Sequence, residues 1–129
     1  MVKYLSSEWL DEVRAAMDAD RTLAVETAET ELVLQQVVTG APNGDVAYFI
    51  TFDNGTVHVQ SGVASQSDVA FTQDYKTALE VHLGTLNALM AFQEGRISIK
   101  GDVTALTANQ AAIGALDQAF RAVKNQTTY

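Results

Sequence analysis

The chain has 129 residues, of which 47% are hydrophobic and 19% charged, a composition typical of one globular domain over residues 1–129. Its formal net charge of −8 disfavours nucleic acid and anionic membrane surfaces as partners, because clustered lysine and arginine bind both. The absence of cysteine excludes disulfides, thiolate metal sites and a cysteine nucleophile.

The first predicted element is an amphipathic helix near the amino terminus. Ser7 can cap it, and Trp9, Val13 and Met17 recur at every fourth residue, which gives one apolar face with Trp9 as a core anchor. Acidic residues stand where a signal peptide needs an apolar core, and no uncharged run is apolar enough to span a bilayer. The chain is therefore expected to be cytoplasmic, without stable membrane insertion.

Strands follow this helix. Residues 30–39 are rich in β-branched and apolar side chains, and residues 46–52 and 56–60 flank Asn54-Gly55, a dipeptide typical of a tight hairpin. A two-residue loop at this dipeptide pairs His58 with Thr51 on one face of the hairpin. The simplest interpretation of His58 is a half-exposed residue of the sheet. The opposite face is predicted to be apolar, with Val46, Tyr48, Ile50, Phe52, Val57 and Val59.

The second half begins with a strand and two helices. Residues 67–73 predict a fourth strand, after which Asp74 caps a helix that runs to about Leu83 and ends at Gly84. Residues 86–92 predict a second, shorter helix.

The last part of the chain returns to a strand and then becomes helical. Ile97 and Ile99 alternate with polar residues in a fifth strand, and Asp102 begins another helical turn. Thr107 with Gln110 fits a capping box for a final helix. The order of elements predicts an α+β fold, with a mostly antiparallel sheet and the later helices packed on it. The apolar stripe of the final helix comprises Ile113, Leu116, Phe120 and Val123.

Catalytic motifs are scarce. His58 and His82 lack metal-ligand spacing, and the sequence has no nucleophile elbow, P-loop or dinucleotide-binding fingerprint. An enzyme is therefore the weakest hypothesis; it predicts that one histidine lines a pocket beside a carboxylate. Glu26, Glu29 and Glu31 are interpreted as an acidic edge, with a divalent-metal site as the weak alternative. We expect no catalytic residue, cofactor or metal.

An ordered set of short motifs lies between Ser67 and Asp102. It comprises Ser67-Asp68, the helix from Asp74 to Gly84, Ala91-Phe92, Gly95, Ile97-Ser98-Ile99 and Lys100-Gly101-Asp102. This set resembles the sterol-carrier-protein-2 family, whose members show the same motifs in the same order. Ala88 stands where the family usually has a proline, and Val103 stands where it has a methionine.

The resemblance implies a five-stranded sheet, helices that cover one face, and an apolar tunnel between them. Such proteins bind fatty acids, acyl-coenzyme A, phospholipids or sterols without catalysis. The alternative is the same fold with a filled core, acting as an accessory or dimerisation module with a second copy or a pathway protein as partner. On the first hypothesis the tunnel walls would come from Leu86, Leu89, Met90, Phe92, Ile113, Leu116 and Phe120.

Overall fold

The computed structural model describes residues 2–42 and 44–129, apart from the side chains of Ala88 and Leu89. The amino-terminal half contains β1 (Val2–Lys3), α1 (Ser7–Ala19), α2 (Arg21–Glu26), β2 (Glu31–Thr39), β3 (Val46–Asp53) and β4 (Thr56–Ser61). The rest contains β5 (Val69–Asp74), α3 (Tyr75–Leu83), α4 (Ala88–Gln93), β6 (Ile97–Gly101), α5 (Val103–Ala108), α6 (Gln110–Ala122), a 3₁₀ turn (Lys124–Gln126) and β7 (Thr127–Thr128). None of the helices described is long and apolar enough to cross a membrane.

The described strands form a five-stranded mixed sheet in the order β4-β3-β2-β5-β6. All neighbouring pairs are antiparallel except β2 and β5, which run parallel. The predicted α+β class and the mostly antiparallel sheet are therefore confirmed. The parallel pair joins the amino-terminal hairpin to the β5–α3–α4–β6 segment, which makes one continuous sheet for the helices to cover.

The β3–β4 hairpin has the predicted register. Phe52 pairs with Val57, Ile50 with Val59, and Thr51 with His58. Because side chains alternate along a strand, this register sends the apolar set toward the helices and leaves His58 exposed. The buried side of the hairpin includes Tyr48, Ile50, Phe52, Val57 and Val59.

Two helix starts differ from the prediction. The hydroxyl of Ser6, not Ser7, accepts a hydrogen bond from the Trp9 N–H at 3.1 Å, because Ser6 is the residue with extended backbone before the helix. The capping box of Thr107 and Gln110 is also wrong. Thr107 lies inside α5, and Asn109 precedes α6 without a side-chain cap hydrogen bond.

Helix α2 and the paired strands β1 and β7 were not predicted. Helix α2 is short, and its single buried apolar residue, Leu23, gives no periodicity, although the Asp20 carboxylate caps it by accepting from the Leu23 N–H at 3.0 Å. Strands β1 and β7 pair in parallel, with Val2 opposite Thr127, so the two ends of the chain lie together. Strands of two residues leave no readable pattern.

The corner after β6 is organised by Asp68. The Asp68 carbonyl accepts from the Asp102 N–H at 2.8 Å, and its carboxylate accepts from the Val33 N–H at 2.8 Å. Asp102 in turn caps α5 by accepting from the Thr104 N–H at 3.1 Å. These hydrogen bonds hold the end of β6 and the loop before β5 against β2. The charged residues at this corner therefore have a structural role.

We expect Asp102→Ala to lower the free energy of unfolding by about 1 kcal/mol, because the first turn of α5 loses its side-chain acceptor. Urea denaturation of the two proteins measures the difference. Asp102→Asn is the matched control and should keep most of the stability, since asparagine caps helices nearly as well as aspartate. Equal losses in the two variants would contradict the capping role.

Candidate functional site

A cavity of about 140 Å³ lies between the sheet and helices α1, α3 and α6. The strands β2, β3 and β5 contribute Gln36, Tyr48, Ile50 and Gln73 to its lining. The helices contribute the apolar side chains of Trp9, Ala78, Val81, Leu116 and Phe120. We call this space the interlayer cavity, because it separates the helical layer from the sheet.

The apolar wall of the interlayer cavity is centred on Trp9. Its ring lies 5.6 Å from that of Phe120 and 5.0 Å from that of Tyr4, the latter in an edge-to-face arrangement. Tyr48 approaches the same indole edge-to-face at 6.1 Å. Such aromatic pairs add to the burial energy and favour one relative orientation of the rings.

Polar side chains of both layers also border the interlayer cavity. The Gln73 side-chain amide donates to the Gln36 amide oxygen at 3.1 Å, which satisfies both across β5 and β2. Desolvation raises the pKa of the Asp117 carboxyl although part of the side chain stays exposed, and the nearby Arg121 charge acts in the opposite direction. Burial also raises the pKa of Tyr48, and the negative charge of Asp117 adds to the shift.

His82 joins the interlayer cavity to the end of the chain. Its ring stacks on Tyr4 at 4.9 Å, and its Nε2 lies 2.7 Å from the Tyr129 hydroxyl. Burial, followed by the positive charges of Lys124 and Arg121, lowers the pKa of His82 from 6.5 to about 4. The imidazole is therefore neutral at pH 7, and its hydrogen bond ties Tyr129 to α3.

This pKa predicts a pH-dependent stability. Above pH 6.5 the His82 imidazole is neutral in both states, so it adds no pH dependence. As the pH falls from 6.5 toward 4, the unfolded chain binds a proton that the folded chain does not, and the free energy of unfolding decreases. After allowance for partial solvent exposure we expect a loss of about 1–2 kcal/mol.

Urea denaturation between pH 7 and pH 4, on the natural protein and on His82→Gln, measures this contribution. Glutamine can keep a hydrogen bond to Tyr129 but does not titrate, so its stability should fall less over the same range. Parallel pH profiles for the two proteins would show that His82 is not held neutral by the fold.

A larger hollow of about 440 Å³ lies between α2 and the α5–α6 junction. Glu26 and Glu29 border it, together with the exposed Val25. Among the described residues no group of three or more acidic or histidine side chains is placed to hold a metal ion. The acidic border suits this hollow poorly to an apolar ligand, so the interlayer cavity is the better candidate site.

The profile of the SCP-2 sterol transfer family matches residues 10–114 of the chain. The chain belongs to the SCP-2 sterol transfer family. This range covers most of the helix α1, the whole five-stranded sheet, α3 and the start of α6. The resemblance seen in the motifs from Ser67 to Asp102 is therefore confirmed.

Solved structures show the SCP-2 fold over nearly the whole chain. A possible sterol carrier protein from Thermus thermophilus is 21% identical, with a TM-score of 0.74 over 95% of this chain and 91% of its own. A sterol carrier protein 2 is also 21% identical, with a TM-score of 0.74 over 92% of this chain and 98% of its own. A palmitated sterol carrier protein 2 like 2 from Aedes aegypti is 21% identical, with a TM-score of 0.57 over 84% and 93%. A search of curated protein sequences found no match.

The predicted site residues of this SCP-2 family member fall into three groups. Leu116 and Phe120 line the interlayer cavity. Leu86 and Ile113 are partly buried but are not among its lining residues. Met90 and Phe92 are 54% and 42% exposed on α4, and the Leu89 side chain is outside the described part of the structure. Ligand contact by these seven residues stays a prediction.

Several lining residues were not assigned to the site from the sequence. Tyr48 and Ile50 belong to the predicted apolar face of the hairpin, and Trp9 belongs to the predicted apolar face of α1. Those two apolar faces could have indicated the site, because a cavity beneath the final helix needs apolar side chains from the elements opposite that helix. Gln36 and Gln73 gave no such signal, because polar side chains within strands are ordinarily solvent-facing.

Proposed function

We propose that this single domain is a non-catalytic lipid-binding carrier, which accommodates a fatty acyl, phospholipid or sterol-like ligand in the interlayer cavity. One observation carries the proposal: a member of the SCP-2 sterol transfer family keeps an open space between its sheet and its helices, with an aromatic and aliphatic wall and several polar side chains at its border.

The size of the interlayer cavity limits the ligand that this structure can hold. Its volume of about 140 Å³ is comparable to that of an engineered apolar cavity of about 150 Å³ that admits one benzene molecule. A long acyl chain or a sterol therefore requires the cavity to widen. Helix α6 is the candidate for this movement, because Leu116 and Phe120 form one wall and its amino terminus lacks a side-chain cap.

The energetics of chain burial support this role. Each methylene transferred from water contributes about 0.8 kcal/mol, so a twelve-carbon chain gains roughly 10 kcal/mol. The loss of freedom on association and the movement of the helix offset several kcal/mol of this gain. Micromolar binding then requires no charged anchor. Leu116 and Phe120 would contact the chain first, and Leu86, Leu89, Met90, Phe92 and Ile113 would take part if the ligand extends toward α4.

Catalysis is the less favoured function, although His82 and Asp117 both border the interlayer cavity. The pKa of His82 is lowered to about 4, which makes it a weak base, and the charges that contribute to the shift come from Lys124 and Arg121. Its Nε2 is engaged by Tyr129. The cavity-lining residues in the described part of the chain include no serine, threonine, cysteine or lysine to act as a nucleophile.

A filled-core accessory module is the second candidate, and the exposure of Met90 and Phe92 favours it. Exposed apolar side chains on one short helix can mark a contact with a second copy or another protein. In that case the interlayer cavity would stay closed and α4 would carry the function.

Native mass spectrometry of the purified protein distinguishes these functions, because it reports bound lipid and stoichiometry together. The proposal expects lipid in the natural protein, and displacement of a fluorescent fatty acid by added lipid. A protein without bound lipid that also fails to bind the fluorescent fatty acid would contradict the carrier function. A lipid-free dimer would favour the accessory module.

A further inference from the structure

The indole of Trp9 presents an unsatisfied hydrogen-bond donor beside the interlayer cavity. Trp9 is 1% exposed, and its Nε1 is buried without a hydrogen-bond partner among the described residues. Buried side-chain donors are nearly always paired, because water or a protein acceptor offsets their desolvation. Trp9 borders the interlayer cavity but its Nε1 is covered, so an acceptor from outside the chain reaches it when the cavity widens around a ligand.

The surroundings of Trp9 offer aromatic faces in place of an acceptor oxygen. The rings of Tyr4, Tyr48, His82 and Phe120 lie within 5.0 to 6.1 Å of the indole. The Tyr4 hydroxyl donates to the Ala78 carbonyl at 3.4 Å and does not pair with the indole. All five rings border the interlayer cavity, so a ligand there lies against the indole.

The charge beside Trp9 restricts the kind of oxygen. The Asp117 carboxyl borders the same cavity, and desolvation already raises its pKa. A second carboxylate placed beside it would meet a like charge in a desolvated setting, which disfavours the ionised form of both. Arg121 borders the same cavity and, like Asp117, is exposed, so it counters only part of this repulsion. An uncharged oxygen avoids the conflict.

We infer that the interlayer cavity selects lipids whose polar end is an uncharged acceptor oxygen, a hydroxyl or an ester carbonyl, over fatty-acid anions of the same length. Trp9 Nε1 donates the hydrogen bond to that oxygen, and Asp117 disfavours the anion. This inference deepens the proposed function and rests on it. It makes Trp9 a specificity-determining residue rather than only part of an aromatic wall.

The test compares three ligands with equal acyl chains, 1-decanol, methyl decanoate and decanoate, at pH 7.5. Affinities come from displacement of a fluorescent fatty acid. Because Trp9 is the only tryptophan in the chain, one indole N–H signal in a ¹H–¹⁵N spectrum reports directly on the proposed hydrogen bond. We expect the alcohol and the ester to bind about two- to tenfold more tightly than the anion and to move the indole proton downfield, as one net hydrogen bond implies.

Two variants separate the contributions of donor and charge. Trp9→Phe removes the donor and should weaken binding of the alcohol and the ester, so that only the part of the preference that Asp117 supplies remains. Asp117→Asn should selectively improve decanoate binding. If Trp9→Phe fails to fold, the indole signal of the natural protein still decides the question.

Each outcome has one interpretation. Decanoate binding as tightly as both the alcohol and the ester, or an indole signal that shifts with neither of them, overturns the inference and leaves the carrier function standing. Failure of all three ligands, together with failure of the fluorescent fatty acid, contradicts the carrier function itself. An alcohol-only preference or an ester-only preference, with the indole shift, supports the inference and identifies which lipid source supplies the oxygen.

Discussion

Gly101→Ala is expected to lower the free energy of unfolding by about 3 kcal/mol or more, the largest stability effect that we predict. Gly101 ends β6 with φ +107°, a conformation that L side chains rarely adopt. A Cβ at this position would lie 2.2 Å from the Asp68 carbonyl oxygen. The strand would have to move away, and the Asp102 N–H would lose the 2.8 Å hydrogen bond to that oxygen.

Gly84→Ala is the matched control for Gly101→Ala. Gly84 also has positive φ, +81°, but a Cβ there would meet nothing within 4 Å. Gly84→Ala should therefore lower the free energy of unfolding by about 1 kcal/mol, the cost of placing alanine at positive φ without a collision. Urea denaturation of both variants separates backbone strain from the collision with Asp68. Equal losses would show that the corner can relax and that the close approach is not what fixes the end of β6.

Local chemistry explains why much of the fold could be predicted. Asn54-Gly55 can close only a few kinds of turn, and the turn then fixes the pairing of Ile50 with Val59. Asp74 and Gly84 define the bounds of α3 by a cap hydrogen bond and a left-handed residue. These signals act within a few residues, so they are readable in the sequence and survive in the structure.

The interlayer cavity could be predicted only in part, because its residues come from distant parts of the chain. Leu116 and Phe120 were found because α6 is long enough to display an apolar stripe. Helix α4 spans only Ala88–Gln93, too short for its apolar positions to indicate a buried face, and Met90 and Phe92 lie largely exposed. The wall opposite α6 depends on tertiary packing.

The polar side chains of the cavity could not be predicted for the same reason, because they come from distant parts of the chain. Gln36 and Gln73 meet because β2 and β5 are parallel neighbours, although the two residues are 37 positions apart in sequence. The register of that pair is set by the whole sheet, and no local motif predicts it. Trp9 looks like an ordinary core residue in the helical pattern of α1, and its unpaired Nε1 becomes visible only when its neighbours are known to be aromatic.

Ala78→Leu is expected to weaken ligand binding roughly 30-fold, the largest functional effect that we predict. Ala78 is a small residue of α3 that borders the interlayer cavity. The larger side chain would occupy space for about three methylene groups of the ligand, worth about 2 kcal/mol of binding free energy. Displacement of a fluorescent fatty acid measures the affinity. Stability should stay within about 1 kcal/mol of the natural protein, since the new atoms fill an existing space.

Two controls separate occupation of the cavity from other effects. Ala15→Leu makes the same chemical change at an exposed position of α1, so binding should not change. Asp102→Ala lowers stability at a joint that does not border the interlayer cavity, and it should also leave binding nearly intact. Unchanged binding in Ala78→Leu would place the ligand elsewhere and direct attention to the exposed Met90 and Phe92. A stability loss of about 3 kcal/mol would show that the space beside Ala78 is already filled, as overpacking predicts.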